Sequence, residues 1–157
     1  MDEDTDEFDW FVRSIPIGVG IALIYALWAS PEPPPPPNNS NVYGCYSTDE
    51  APSIRLDEHG MQVIQKDFPK IGYHLERHKQ GIALTAEAPI SAKSSANSYQ
   101  YSIDQRGIGK FLSFYKNLNG KVYGVFEPEE LGPFRMLADD GRYLPYTRTE
   151  QARCSQV

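Results

Sequence analysis

Cysteine is scarce in this chain of 157 residues, which contains only Cys45 and Cys154. Neither lies in a Cys-x-x-Cys or a Cys-x-x-Cys-His pattern. The sequence therefore offers no zinc site of that type, no dithiol redox centre and no attachment site for a c-type haem. Cys45 also lies too far from the apolar N-terminal segment to be the acylated residue of a lipoprotein.

Two common sequence motifs for catalysis are also lacking. There is no Gly-x-Ser-x-Gly nucleophile elbow. Gly107-Ile108-Gly109 lies between two predicted strands, whereas a phosphate-binding glycine loop opens a helix. The paired carboxylates Glu129-Glu130 and Asp139-Asp140 fall in predicted turns, where acidic residues favour solubility. The sequence therefore predicts no cofactor and favours a protein that is not an enzyme.

No cluster of Lys and Arg is present either. The net charge of −6 lies in the N-terminal part, because residues 1–14 carry six acidic and one basic side chain (−5) and Glu32 adds −1. Residues 38–157 hold 14 acidic and 14 basic side chains and are neutral. Binding to a phosphate backbone requires a positive patch. The sequence therefore predicts no nucleic-acid partner.

One apolar segment is long enough to cross a membrane. Residues 15–29 read IPIGVGIALIYALWA, and the span from Trp10 to Trp28 is 19 residues, or roughly 28 Å of helix. We expect a transmembrane helix over 15–30 that is interfacial from Trp10, with a Trp at each interface and the Arg13 side chain reaching back to the headgroups. The alternatives are a cleaved signal peptide, which an acidic N-terminus disfavours, and a buried soluble helix.

Two observations predict the orientation of this helix. Arg13 is on the N-terminal flank and no Lys or Arg follows from 30 to 54, which weakly favours an N-terminus inside. A disulfide between Cys45 and Cys154 would persist only in an oxidising compartment. We therefore expect an acidic cytoplasmic tail (1–14) and an extracytoplasmic domain, periplasmic if the cell is Gram-negative. The alternative for the cysteines is two unrelated buried thiols.

Small residues at Gly18, Ala22 and Ala26 recur every four positions within the predicted helix. Such a stripe lets a second transmembrane helix approach closely, which indicates a protein partner in the membrane besides the lipid itself. The alternative is the ordinary composition of a membrane helix, in which Gly and Ala are frequent.

Beyond the apolar segment, residues 31–41 begin with PEPPPPP and predict a stiff polyproline spacer of roughly 20 Å. From 42 to 157 short alternating apolar runs are separated by turn signals, which predicts a mainly β domain folded as a small antiparallel β-barrel or β-sandwich. Hairpins are expected at Asn119-Gly120 and at Asp140-Gly141, both with type I′ turns. An α+β variant remains open if residues 66–80 are helical.

Only His74, Glu76 and His78 resemble a metal site. On a strand the three share one face, but the two histidines would lie about 13 Å apart, too far for one ion. A solvated polar face is therefore favoured over metal binding. Residues 85–98, rich in small side chains, suggest a recognition loop. The nine tyrosines of the β domain suit either an interface or core packing.

Taken together, these features predict a membrane-anchored accessory protein that presents a disulfide-closed β domain to a partner, such as a larger membrane or envelope complex. The alternative is an envelope enzyme or small-ligand carrier that uses a barrel interior.

Overall fold

The computed structural model describes residues 34–96, 98–104 and 111–155. The predicted tail and transmembrane helix, with Trp10, Arg13, Gly18, Ala22, Ala26 and Trp28, lie outside these residues. Within them, no helix is long and apolar enough to cross a membrane. The compact unit that holds the β domain begins at Pro36. Pro37 and Val42 are both buried.

The domain is built of strands and three short 3₁₀ helices. The strands are β1 Gly44–Ser47, β2 Ile54–Asp57, β3 Gly60–Val63, β4 Tyr73–His78, β5 Gly81–Ala86, β6 Ile90–Ser95, β7 Ser98–Ile103, β8 Phe111–Leu118, β9 Lys121–Gly124, β10 Phe134–Leu137 and β11 Tyr143–Thr149. The 3₁₀ helices are Asn39–Val42, Pro128–Glu130 and Gln151–Cys154. The prediction of a mainly β domain is confirmed, and the helical alternative for residues 66–80 is wrong because β4 occupies much of that stretch.

All strand pairs are antiparallel and form two sheets. The larger sheet has the order β3-β2-β1-β11-β10-β8-β5-β4, with β9 paired to β8, and the smaller one consists of β6 and β7. The barrel alternative is wrong, because β3 and β4 lie at opposite ends of the order. One isolated bridge, Met61–Ile71, joins their neighbourhoods. Among the described residues, no further strand pairing joins β3 to β4.

The alternation of the strands puts one continuous apolar row in the core. Leu75, Leu84, Leu112, Met136 and Leu144 follow one another in register across five neighbouring strands, and all five are buried. Each of these strands turns its adjacent residues to the opposite face. At about 1.5–3 kcal/mol per buried side chain, such rows are the main source of stability, and they fix the register of every pair.

Aromatic side chains fill the centre of the core. Phe134 packs on Tyr46, Phe114 and Tyr146, with ring centroids 4.8, 5.7 and 5.1 Å away. All four are at most 1% exposed. These rings come from four different strands, so they tie the two halves of the larger sheet together.

The two predicted hairpins differ in their turns. Asn119 (φ 54°) and Gly120 (φ 79°) are both left-handed, which confirms a two-residue type I′ turn between β8 and β9. Between β10 and β11 only Gly141 is left-handed, and the amide of Ala138 donates to the carbonyl of Arg142. This loop therefore has three residues, 139–141, and not the predicted two. A three-residue loop of this kind needs glycine only at its last position.

Candidate functional site

The three polar residues of β4 share one face, as their spacing on a strand requires. Nε2 of His74 lies 2.5 Å from Oε1 of Glu76, and Nε2 of His78 lies 3.2 Å from Oε2 of the same carboxylate. The hydrogen bond with His74 is the main cause that lowers the pKa of Glu76. Each side chain is more than a third exposed. This polar row lies on the last strand of the sheet order, where the charge of Glu76 discourages edge-to-edge association.

Metal binding gains no support from this triplet. Within the described part of the chain, no group of three or more His, Cys, Asp or Glu side chains is arranged to hold a metal ion. The carboxylate of Glu76 instead bridges the two imidazoles.

The predicted disulfide is confirmed. Cys45 on β1 is bonded to Cys154 on the last 3₁₀ helix, with 5.9 Å between the Cα atoms and 109 positions between the residues. Both side chains are buried, at 2% and 3% exposure. The bond therefore fastens the first strand of the domain to its last helical turn.

The recognition loop predicted for residues 85–98 is wrong. Most of this stretch is strand, because β5 ends at Ala86 and β6 and β7 form a hairpin with Ala96 at a left-handed φ of 48°. Ile90, Ser91 and Ala92 are buried. The small side chains of Ser91 and Ala92 therefore pack inside the domain.

A charged cluster that the sequence did not predict joins this hairpin to the larger sheet. Arg142 contacts Glu50 at 2.5 Å and donates to the hydroxyl of Tyr99 at 2.7 Å, and that hydroxyl donates to Asp140 at 2.6 Å. The hydrogen bond from Tyr99 lowers the pKa of Asp140. Each of these groups already has a partner, so the cluster acts as a clamp. Tyr99 and Asp140 are 41 positions apart and Glu50 and Arg142 are 92 apart, and these separations hide the cluster from sequence patterns.

An open groove of about 750 Å³ lies on the outer face of the larger sheet. The row of residues that alternates with the core row supplies its floor, where Ala83 pairs with Ser113 and Ser113 pairs with Arg135. Because the side chains of Ala83 and Ser113 are small, the surface of the sheet is concave at this point. Tyr115, Val122, Tyr123 and Phe126 line one side of it, and the end of β4 with the following turn, at His78 and Lys79, lines the other.

Ser113 and Lys116 have the Ser-x-x-Lys spacing of some acyl-transfer enzymes. On β8, however, residues three apart point to opposite faces. The ammonium group of Lys116 lies 2.7 Å from Glu130. The lysine is therefore unable to act as a base for the hydroxyl of Ser113.

The side of the groove formed by β9 depends on close contacts between two backbone segments, residues 80–82 and 124–125. The amide of Ile82 donates to the carbonyl of Val125 at 2.6 Å. A Cβ atom on Gly124 would overlap the carbonyl oxygen of Gln80, and one on Gly81 would lie 2.7 Å from that of Val125. β5 pairs with the first half of β8, and β9 pairs with the second half along the same edge. The two strands meet at Gly81 and Gly124, where only glycine lets the backbones come so close.

Past this contact, β8 and β9 form an arm, defined as residues 115–126, that projects beyond the neighbouring strands. Tyr115 to Leu118 pair with β9, while β5 and β10 pair with β8 only at Phe111 to Phe114. Four large apolar side chains of the arm are exposed, at 47% to 52%: Leu118, Val122, Tyr123 and Phe126. Apolar groups concentrated on one projection commonly mark an interaction surface.

The charge at the groove is positive. Among the described residues that line it, none is a carboxylate, whereas Lys79 and Arg135 carry permanent positive charges. The guanidinium of Arg135 stacks 4.2 Å from the ring centre of Tyr143, and its Nε is buried without a hydrogen-bond partner within the described residues. The domain as a whole is neutral, so this face is locally cationic.

Eight of the nine tyrosines divide between the two predicted roles, and the ninth, Tyr43, is half-buried against the core. Tyr46, Tyr73, Tyr99, Tyr101 and Tyr146 are buried, and Tyr115, Tyr123 and Tyr143 lie at or beside the groove. Sequence alone could not separate the groups, because tyrosine suits both environments.

Comparison with known proteins gives this chain no relative: no protein-family model, no curated protein and no solved structure matches it.

Proposed function

We propose that this protein is a single-pass membrane-anchored interaction protein. Its N-terminal helix (15–30) is held in the lipid, the acidic tail (1–14) is cytoplasmic, and a proline-rich spacer (31–41) carries the β domain on the extracytoplasmic side. There the domain contacts a partner protein of a larger membrane or envelope complex.

The observation that carries this proposal is the bond between Cys45 and Cys154. It joins the two ends of the β domain. Such bonds persist in exported compartments and are rare in the cytosol. Because the anchor and the β domain lie on one chain, an exported domain requires the helix to present its C-terminal end outside.

The alternative, an enzyme or ligand carrier that uses a barrel interior, has less support. The sheet is not a closed barrel. Its interior is occupied by fully buried Tyr46, Phe114, Phe134 and Tyr146. What the surface offers instead is the exposed arm, which favours contact with another protein.

The proposal is tested by fractionation and thiol labelling of the full chain in intact cells. We expect the protein in the membrane pellet after alkaline carbonate extraction. We also expect Cys45 and Cys154 of the denatured protein to react with a maleimide only after reduction, and a protease that has access to the extracytoplasmic side to degrade the β domain. A carbonate-soluble chain, or two free thiols, would contradict the proposal. A Cys45→Ala, Cys154→Ala variant is the control for labelling.

A further inference from the structure

The arm has a free strand edge. β9 pairs with β8 and with no other strand among the described residues. In a hairpin with a two-residue turn, the flanking pair Leu118–Lys121 exchanges hydrogen bonds, and the next pair, Asn117–Val122, does not. The N–H and C=O of Val122 therefore point away from β8, towards open solvent. They offer a donor and an acceptor to an incoming strand.

The shape of the groove favours an extended chain over a small molecule. Pockets for small ligands usually bury about 70–90% of the ligand. Here Val122, Tyr123 and Phe126 on one side of the groove are about half exposed, at 48%, 47% and 50%. An open channel beside a free strand edge is the arrangement used for strand addition, in which backbone hydrogen bonds supply affinity and neighbouring side chains supply specificity.

The charge of the groove selects the occupant. Lys79 and Arg135 line it without a carboxylate among the described lining residues. A second copy of the chain would bring the same positive charges together, and like charges at an interface are costly. A peptide with Asp or Glu side chains would pair with them, and its apolar side chains would cover Val122 and Phe126.

We propose that the groove binds an extended acidic peptide of a partner protein, which adds as a strand to β9. This inference rests on the proposed function, since it assigns the surface and the peptide chemistry of the partner. Three features carry it together: the free edge at Val122, the concave floor at Ala83 and Ser113, and the positive charges of Lys79 and Arg135.

The test uses the full-length protein in detergent micelles and a random library of 12-residue linear peptides displayed on phage, with empty micelles as counter-selection. We expect enriched peptides to carry more Asp and Glu than Lys and Arg. Synthetic copies should lose about tenfold or more in affinity when Lys79→Glu or Arg135→Gln is introduced. Lys66→Glu, an exposed charge reversal that lies outside the groove lining, should leave the affinity unchanged.

Amide exchange shows whether the peptide adds as a strand. Binding should slow exchange at the amide of Val122 and leave that of Tyr123 unchanged, because the pair Lys116–Tyr123 already exchanges hydrogen bonds. Val122→Pro removes the outward donor without removing a bond to β8 and should abolish binding. Circular dichroism of the variant checks that the domain remains folded.

Several results would overturn the proposal. The proposal fails if the library shows no enrichment or if the enriched peptides have no acidic bias. It also fails if Lys79→Glu and Arg135→Gln leave the affinity unchanged, or if peptide binding does not slow amide exchange at Val122. If deletion of residues 1–12 makes added peptide bind more tightly, the acidic segment of the chain itself competes for the groove and is its occupant. A dimer that Val122→Pro dissociates would make it a second copy. Peptide binding and membrane anchoring are measured separately, so either can fail while the other holds.

Discussion

The hydroxyl groups of Tyr101 and Tyr146 lie 2.6 Å apart in the core of the domain. The hydroxyl of Tyr146 donates to the backbone carbonyl of Pro52 at 2.9 Å, so Tyr101 is the donor between the two. This relay links β7 of the smaller sheet to β11 and to the loop before β2. Burial raises the pKa of both tyrosines, so both remain protonated.

The relay predicts unequal effects for two conservative substitutions. Tyr146→Phe leaves the Tyr101 hydroxyl and the Pro52 carbonyl without their partner and should cost about 1–3 kcal/mol of unfolding free energy. Tyr101→Phe removes only the terminal donor and should cost about 0.5–1.5 kcal/mol. Urea unfolding of both variants measures the difference. Equal costs would contradict the assigned direction of the relay.

The disulfide should contribute a large share of the stability of the domain. Closing a loop of 109 residues lowers the entropy of the unfolded chain, which corresponds to about 4–5 kcal/mol. We expect the Cys45→Ala, Cys154→Ala variant to unfold at a markedly lower denaturant concentration than the parent protein. The reductant dithiothreitol should lower the midpoint of the parent alone. A midpoint equal to that of the parent would refute this prediction.

The close contact at Gly124 should tolerate no side chain. Gly124→Ala places a methyl group against the carbonyl of Gln80 and should destabilise the domain by about 1–3 kcal/mol. Gly132→Ala is the matched control, because its new Cβ would meet only the carbonyl oxygen of Glu130, at 3.8 Å. It should change the free energy of unfolding by less than about 0.5 kcal/mol. Thermal melts of both variants provide the comparison.

Asp57 should make stability depend on pH. Burial raises its pKa, but the hydrogen bonds from Lys70 and from the backbone amide of His59, together with the positive charges of Lys70 and Arg55, outweigh this effect, so the pKa is lowered overall. A lowered pKa contributes stability above the unfolded value of about 3.9, and that contribution is lost as the pH falls through the folded value. Asp57→Asn should therefore cost about 0.2–1 kcal/mol at pH 7.

The difference between Asp57→Asn and the parent should shrink below the ordinary aspartate pKa. Urea unfolding at pH 7 and at pH 2.5 measures it. Asp49→Asn, at an exposed bend, is the control and should show no such trend. A cost that persists unchanged at the lower pH would assign it to lost packing and not to charge.

The small-residue stripe of the proposed anchor makes a separate prediction. Replacing Gly18, Ala22 and Ala26 by Leu should abolish co-purification with a membrane partner while insertion is retained, because bulk at these positions prevents close helix approach. Val19→Leu, Ile21→Leu and Ile24→Leu together are the control with equal apolar character. Unchanged co-purification of the stripe variant would refute helix packing as the contact.

Local signals predicted local structure well. Asn119-Gly120 indicated its type I′ turn because both positions need a left-handed backbone. The same signals failed where neighbours distant in sequence decide. The small side chains of 85–98 resemble a loop, yet most of that stretch is paired strand.

The candidate groove was not predictable for the same reason. Its floor depends on the register that sets Ala83 beside Ser113, and one of its sides on the meeting of Gly124 with Gln80. Alternating apolar and polar residues indicate that a strand has an outward face, but only the folded structure shows which small and cationic side chains lie together on that face. The disulfide was predictable because one cysteine stands near each end of the β region.

The bond between Cys45 and Cys154 also sets the path of mechanical load. Tension between the N-terminal spacer and the C-terminus would run through the sulfur–sulfur link and bypass the sheet. The chain between the two cysteines, which are 109 positions apart, would carry no load. Roughly 360 Å of fully extended chain would therefore not be released by the pull. A pull on the arm would instead pass through the strands. The domain thus resists extension from its chain ends, whereas a force applied at the arm acts directly on the paired strands.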